Sequence, residues 1–104
     1  MKILAITACP TGIAHTYMAA ESLECSGKKL GHDIKVETQG AMGIENELTA
    51  EDIQGAEALI IASEISVQGR DRFKGVPLVL EVPVQLAIRN PAEIFHRLAS
   101  PSTT

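Results

Sequence analysis

The chain carries four short apolar runs, separated by polar stretches with the length and spacing of helices and turns. The run Ile3–Thr7 is apolar almost throughout, as in a strand buried on both faces of a parallel sheet. From about Thr16 to Leu30 the period changes. Ala19, Leu23, Gly27 and Leu30 recur at helical spacing, with Glu21, Glu24, Lys28 and Lys29 on the wetter sides. Gly31 stands where a left-handed helix stop is expected. Ile34 and Val36 alternate with Lys35 and Glu37, which predicts a second strand ending at Thr38-Gln39-Gly40. Thr49 followed by Asp52 resembles a capping pattern, so a short helix is expected from about Ala50 to Gly55. Ala58–Ala62 and Val76–Val82 read as third and fourth strands. Pro77 cannot donate to a ladder, which puts the fourth at a sheet edge. Pro83 and Pro91 punctuate two helical pieces near 83–89 and 91–99.

Strands that alternate with helices build right-handed βαβ units. The expected fold is therefore α/β: a three-layer sandwich with a four-stranded parallel sheet in the order 2-1-3-4 and helices on both faces. The first strand is then central. Ligands of such sheets bind at the carboxyl ends of the strands, where the chain direction switches. The loop that follows the first strand and the Thr38-Gln39-Gly40 turn both fall there. Residues 1–100 are expected to form this single domain, with 101–104 (Pro-Ser-Thr-Thr) as a flexible tail.

Composition narrows the classes of function. The 104 residues are 45% hydrophobic and 21% charged, ordinary for a globular domain. A net charge of −4 argues against nucleic acid or an anionic membrane surface as partner, since either needs a basic face. The apolar N-terminal stretch is too short for a signal peptide or a membrane span, so no membrane insertion and a cytoplasmic location are expected. Cys9 and Cys25 show no Cys-x-x-Cys or Cys/His spacing, so neither a disulfide, a metal nor a cofactor is expected.

The chemistry concentrates in Cys9-Pro10-Thr11-Gly12-Ile13-Ala14-His15-Thr16. This segment joins a strand to a helix, where backbone N–H groups converge and the helix dipole favours an anion. The same field lowers a thiol's pKa and raises its reactivity at neutral pH. Most free cysteines are buried and inert, but Cys9 lies just past the strand rather than inside it. Pro10 fixes φ and lacks an N–H, while Gly12 lets amides approach a phosphate closely. Thr11 and Thr16 carry hydroxyl donors, and Thr16 equally suits a helix cap. His15 is either a donor to a bound phosphate or an ordinary surface residue. His32, His96 and Cys25 have no supporting neighbours in sequence and read as solvated or as filler.

A thiol in a phosphate loop also describes cysteine-dependent phosphatases, whose signature is Cys, five residues, then Arg. Position 15 holds His instead, and no Asp-Pro pair supplies a general acid. Such a loop can accept a phosphoryl group but is poorly equipped to activate water against it. A phosphoryl relay is the better inference.

The loop Cys9–Thr16 resembles the active-site loop of the fructose-type EIIB domains of the bacterial phosphoenolpyruvate-dependent sugar phosphotransferase system. Supporting segments are Val36-Glu37-Thr38-Gln39-Gly40, Ile44–Thr49 and Arg72-Phe73, and the likeness runs from about Lys2 to Pro91. Residues 63–70 depart from the acidic stretch of the family. The resemblance implies that Cys9 accepts phosphate from a phosphohistidine of EIIA and passes it to a fructose-like sugar bound by membrane EIIC. It implies too that Pro10, Thr11, Gly12, Ile13, Ala14, His15 and Thr16 line the phosphate. Two alternatives stay open at this point: a low-molecular-weight phosphatase, and a regulatory EIIB-like module that is read rather than used.

Overall fold

A computed structural model describes residues 2–8, 13–40, 43–63, 67, 70–73 and 75–99. Its five strands are β1 (Lys2–Ala8), β2 (Asp33–Gly40), β3 (Gly43–Glu45), β4 (Ala58–Ser63) and β5 (Leu78–Val82). They form one sheet in the order β3-β2-β1-β4-β5. β1 pairs in parallel with β2 and β4, and β4 with β5, while β3 runs antiparallel to β2. The expected four-stranded, wholly parallel sheet is thus corrected to a mixed five-stranded one. The four parallel strands keep their expected order, and β3 is added beyond β2. Two residues separate β2 from β3, too few for the crossover that a parallel partner requires. All three residues of β3 are exposed, so no apolar run marks the strand in the sequence. β5 begins after Pro77 and closes the opposite edge, where a missing donor costs nothing.

The buried run in β1 explains why that strand is central. Ile3, Leu4 and Ile6 are 1%, 0% and 0% exposed, each stabilised by about 1.5–3 kcal/mol on burial. Alternate side chains enter two different cores. Ile3 and Ala5 join Ile34, Val36, Ile60 and Val82 in one cluster; Leu4, Ile6 and Ala8 join Leu59, Ile61 and Phe73 in the other. The first cluster is covered by α1 (Ile13–Lys29), α3 (Val84–Arg89) and α4 (Pro91–Ala99), through Ala19, Leu23, Val84, Ala87, Ile94, Phe95 and Leu98. The second is covered by α2 (Ala50–Gln54) with its flank Leu48, and by a 3₁₀ turn, Arg70–Phe73. Helical pieces therefore lie on both faces.

The capping pattern at Thr49 is a capping box. Thr49 Oγ1 accepts from the Asp52 N–H at 3.2 Å, and Asp52 Oδ2 accepts from the Thr49 N–H at 2.9 Å. Lys35 Nζ of β2 donates to the same Oδ2 at 2.6 Å and ties α2 to the sheet. The Lys35 hydrogen bond, helped by those from Thr49, holds the Asp52 carboxyl well below the usual carboxylate range.

α1 ends as Gly31 predicts. Gly31 has φ +82°, its N–H reaches the Lys28 carbonyl at 3.0 Å, and the His32 N–H reaches Gly27 at 2.9 Å. This is the paired bonding of a Schellman stop. Leu30, expected on the buried stripe, lies beyond the last helical residue and is 53% exposed. His32, expected to be solvated, stacks on Phe95 with ring centroids 5.6 Å apart.

Gly27 is where α1 meets β2 and α4. A Cβ there would sit 3.1 Å from Ile34 Cδ1 and Cγ2 and 3.2 Å from Phe95 Cζ. Gly27→Ala gains about 1 kcal/mol of helix propensity but overpacks a close-packed core, at about 1–3 kcal/mol. The expected net loss is about 1 kcal/mol, read as a fall of about 4–8 °C in Tm. An unchanged or higher Tm would mean that Ile34 and Phe95 yield at no cost.

Candidate functional site

The parallel strands deliver their carboxyl ends to one rim. Ala8 at the end of β1 is in register with Gln39 of β2 and Ser63 of β4. α1 starts at Ile13, so only four positions connect the central strand to the helix. Those four, Cys9, Pro10, Thr11 and Gly12, lie outside the described residues, and their two flanks define the site. On the strand side, the buried Thr7 Oγ1 donates to the Thr16 carbonyl at 3.0 Å. That bond fastens the end of the strand to the first turn of the helix.

On the helix side, the first-turn N–H groups have no intrahelical acceptors. No acidic residue stands in that turn, while Lys28 and Lys29 occupy the last one. The helix's own first turn therefore sets no carboxylate against the positive end of its dipole, and an anion placed there gains about 0.3–1 kcal/mol from it.

Of the residues expected to line a phosphate, Ile13 and Ala14 open α1, and His15 is exposed on its first turn. Thr16 is 1% exposed and lies inside the helix, so of the two roles open to it, helix cap or phosphate contact, the structure rules out the cap. With the helix starting three residues earlier, it is the Thr16 carbonyl that meets the Thr7 hydroxyl. Of residues 63–70, the stretch that departs from the family pattern, Ser63 closes β4. Ser63, Val67 and Arg70 are described; 64–66, 68 and 69 lie outside the described residues, as does the 101–104 tail.

Behind the rim stands a charge network for which alternation in β2 offers no hint. Glu37 is 0% exposed. Its two oxygens accept from Arg72 Nη1 at 3.1 Å and Nη2 at 3.0 Å, from the Leu48 N–H at 2.8 Å and from Gln39 Nε2 at 2.7 Å. Arg72 Nη1 also donates to the Leu48 carbonyl at 3.2 Å, and its guanidinium lies over the Phe73 ring. Burial pushes the Glu37 carboxyl up. The Arg72 hydrogen bond, the Leu48 N–H, the Gln39 amide and the Arg72 charge together outweigh burial and hold it below its ordinary value. The pair thus pins the 3₁₀ turn, and with it the far end of the chain that leaves β4, against β2. Gln39, at the carboxyl end of β2, has its amide oriented by Glu37. The segments around Glu37 and Arg72 carry the family likeness, but their pairing is a tertiary fact.

The outer wall of the rim is a surface groove of about 200 Å³ lined by His15, Met18, Gln85, Ile88 and Arg89. On the other side of α1, the Tyr17 hydroxyl donates to the Glu45 carboxylate of β3. Arg89 carries no motif, and its place beside His15 comes from the packing of α3 on α1. Cys25 is an exposed thiol further along α1. Among the described residues, no group of three or more His, Cys, Asp or Glu gathers as metal ligands. None of the described helices is long and apolar enough to cross a membrane.

Comparison with known proteins agrees with this architecture. The family model described as "PTS system, Lactose/Cellobiose specific IIB subunit" matches residues 4–97. The chain is 46% identical to the fructose-like EIIB component 2 of the Escherichia coli (strain K12) phosphotransferase system, over 93% of its own length and 91% of that protein's. It is 53% identical to the fructose-specific EIIABC component of Bacillus subtilis (strain 168), over 92% of this chain. It spans only 15% of that larger protein's length. Among solved structures, a domain of the fructose-specific IIABC component from Borrelia burgdorferi superposes with a TM-score of 0.86 at 46% identity, covering 92% of this chain and 90% of that one.

Proposed function

The chain belongs to the fructose-like EIIB family of the sugar phosphotransferase system, and on that premise we propose that it carries a phosphoryl group on Cys9 between two proteins. The donor is a phosphohistidine of an EIIA protein, and the acceptor is a fructose-like sugar held by a membrane EIIC. The Cys9 thiolate attacks phosphorus in line; an S–P bond forms as the P–N bond breaks, and the leaving imidazole takes up a proton. In the second step a sugar hydroxyl attacks the same phosphorus. An O–P bond forms, the S–P bond breaks to regenerate the thiolate, and the hydroxyl proton passes to a base on the acceptor side.

Positioning and charge stabilisation are the main demands of such transfers. The observation that carries the reading is the placement of the loop's two flanks: the carboxyl end of the central strand on one side, an acid-free helix N-terminus on the other. Backbone amides of the Cys9–Thr16 loop, with hydroxyl or imidazole donors from Thr11, His15 and Thr16, are the proposed phosphate cradle. A thiolate beside that positive end is favoured over the thiol. The name of the Escherichia coli relative supports a fructose-like sugar, and the fused EIIABC relative supports EIIA and EIIC as partners.

Incubation with a phosphorylated EIIA followed by mass-spectrometric mapping tests the assignment. A single phosphoryl group on Cys9, discharged by membranes bearing EIIC and sugar, is the expected result. Label on a histidine would overturn it. Label on Cys9 that no EIIC and sugar discharges would point instead to a regulatory module.

A further inference from the structure

The groove outside the rim contains two basic groups: His15, proposed above as a donor to the phosphate, and Arg89, to which no role has been assigned. His15 comes from the first turn of α1 and Arg89 from the last turn of α3. Neither forms a hydrogen bond or ion pair with the described residues, in contrast to Arg72, Arg97, Lys28 and Lys35. Between the two lie Met18, 49% exposed, and Ile88. The hollow thus sets the Arg89 guanidinium among partly apolar walls on a chain of net charge −4. Arg and Met are both enriched at protein interfaces relative to the rest of the surface.

Size decides between kinds of occupant. The groove holds about 200 Å³, below the roughly 300–1,000 Å³ of small-molecule pockets and suited to a side chain or two. Charge decides between partners. In the proposed relay the donor arrives with an anionic phosphoryl group, whereas the acceptor presents a neutral sugar. A cationic rim attracts the former and has no electrostatic preference for the latter.

Building on the relay reading, we propose that this groove recognises the phosphoryl donor. It takes an acidic side chain with an apolar neighbour from the surface of the phosphohistidine-bearing protein, and Arg89 is the positioning residue that pairs with the acid. The groove shares α1's first turn with the loop. A partner seated there therefore brings its phosphohistidine to the amide cradle rather than to the opposite face of the sheet.

The test measures phosphoryl transfer to the intact chain from the phosphorylated EIIA portion of the Bacillus subtilis EIIABC relative, as a function of salt. Arg89→Glu is expected to lower kcat/KM about tenfold at low ionic strength, through KM, with the deficit shrinking as salt screens it. Arg89→Lys should stay close to wild type. Alkylation of Cys9 by iodoacetamide and the Tm should be unchanged in both, because Arg89 is exposed and acts on the partner rather than on the thiol. Equal transfer rates for Arg89→Glu and wild type at low salt would overturn the proposal. So would a loss of Cys9 alkylation as large as the loss of transfer. A wild-type chain that takes no label at Cys9 would instead sink the relay reading, and the groove's role with it.

Discussion

Replacing Arg72 with Ala is expected to lower the folding free energy by about 3 kcal/mol. Removing one partner of a buried ion pair typically costs about 3–5 kcal/mol, because the remaining charge is left without compensation. The lower end applies here, since Glu37 would still accept from the Leu48 N–H and the Gln39 amide. Urea denaturation measures the loss. Glu37→Gln in the Arg72→Ala background should recover part of it by removing the stranded charge, whereas a cost that comes from lost packing on Phe73 would not be recovered.

The pH dependence gives an independent reading. In the wild type the Glu37 carboxyl lies below its ordinary value. Its contribution is therefore fully present above that value and is lost as pH falls through the depressed one. In Arg72→Ala the two lowering influences of Arg72 are gone while burial remains, so the carboxyl moves up from its wild-type position, and the cost of ionising it is greatest at neutral pH and fades once it protonates. The stability gap between wild type and variant should narrow as pH drops below about 4. A gap that is small at pH 7, or that stays constant on acidification, would show that the ion pair does not pin the turn.

Cys9→Ser is expected to reduce phosphoryl transfer by about a thousandfold or more, the scale on which loss of a covalent nucleophile acts. A serine hydroxyl ionises far less readily than a thiol, and a helix N-terminus that tips a thiol toward thiolate cannot do the same for an alcohol near neutrality. Stability should change by no more than about 0.5 kcal/mol. Cys25→Ser is the matched control. That thiol is exposed on α1, serine and cysteine have similar helix propensities, and transfer should be retained. Rapid-quench measurement of label on the chain separates the two variants. Substantial transfer by Cys9→Ser, or its loss in Cys25→Ser, would assign the carrier elsewhere.

The apolar runs were legible because burial on two faces writes itself into composition. Ile3–Thr7 and Ala58–Ala62 leave no wet face to alternate with, and they became the neighbouring interior strands β1 and β4. Gly31 and Thr49 were equally readable, since a left-handed stop and a capping box are local bonds between near neighbours. β3 was not readable: three exposed residues form a strand only because β2 offers them an open edge. The start of α1 moved from Thr16 to Ile13 because the helix meets Thr7 of another element, a constraint absent from local periodicity.

The order of residues alone, then, located the candidate chemistry, a thiol followed by a proline, a glycine and hydroxyls after a buried strand, and the family to which that motif belongs. Tertiary packing decided what no local pattern encodes. Alternation in β2 marks Lys35 and Glu37 alike as polar, yet only Glu37 is sealed from water, because Arg72 arrives from 35 positions away to neutralise it. His15 and Arg89 share a groove for the same reason. A period of two or of 3.6 residues reports which side of its own element a residue faces, and says nothing about what another element brings to meet it.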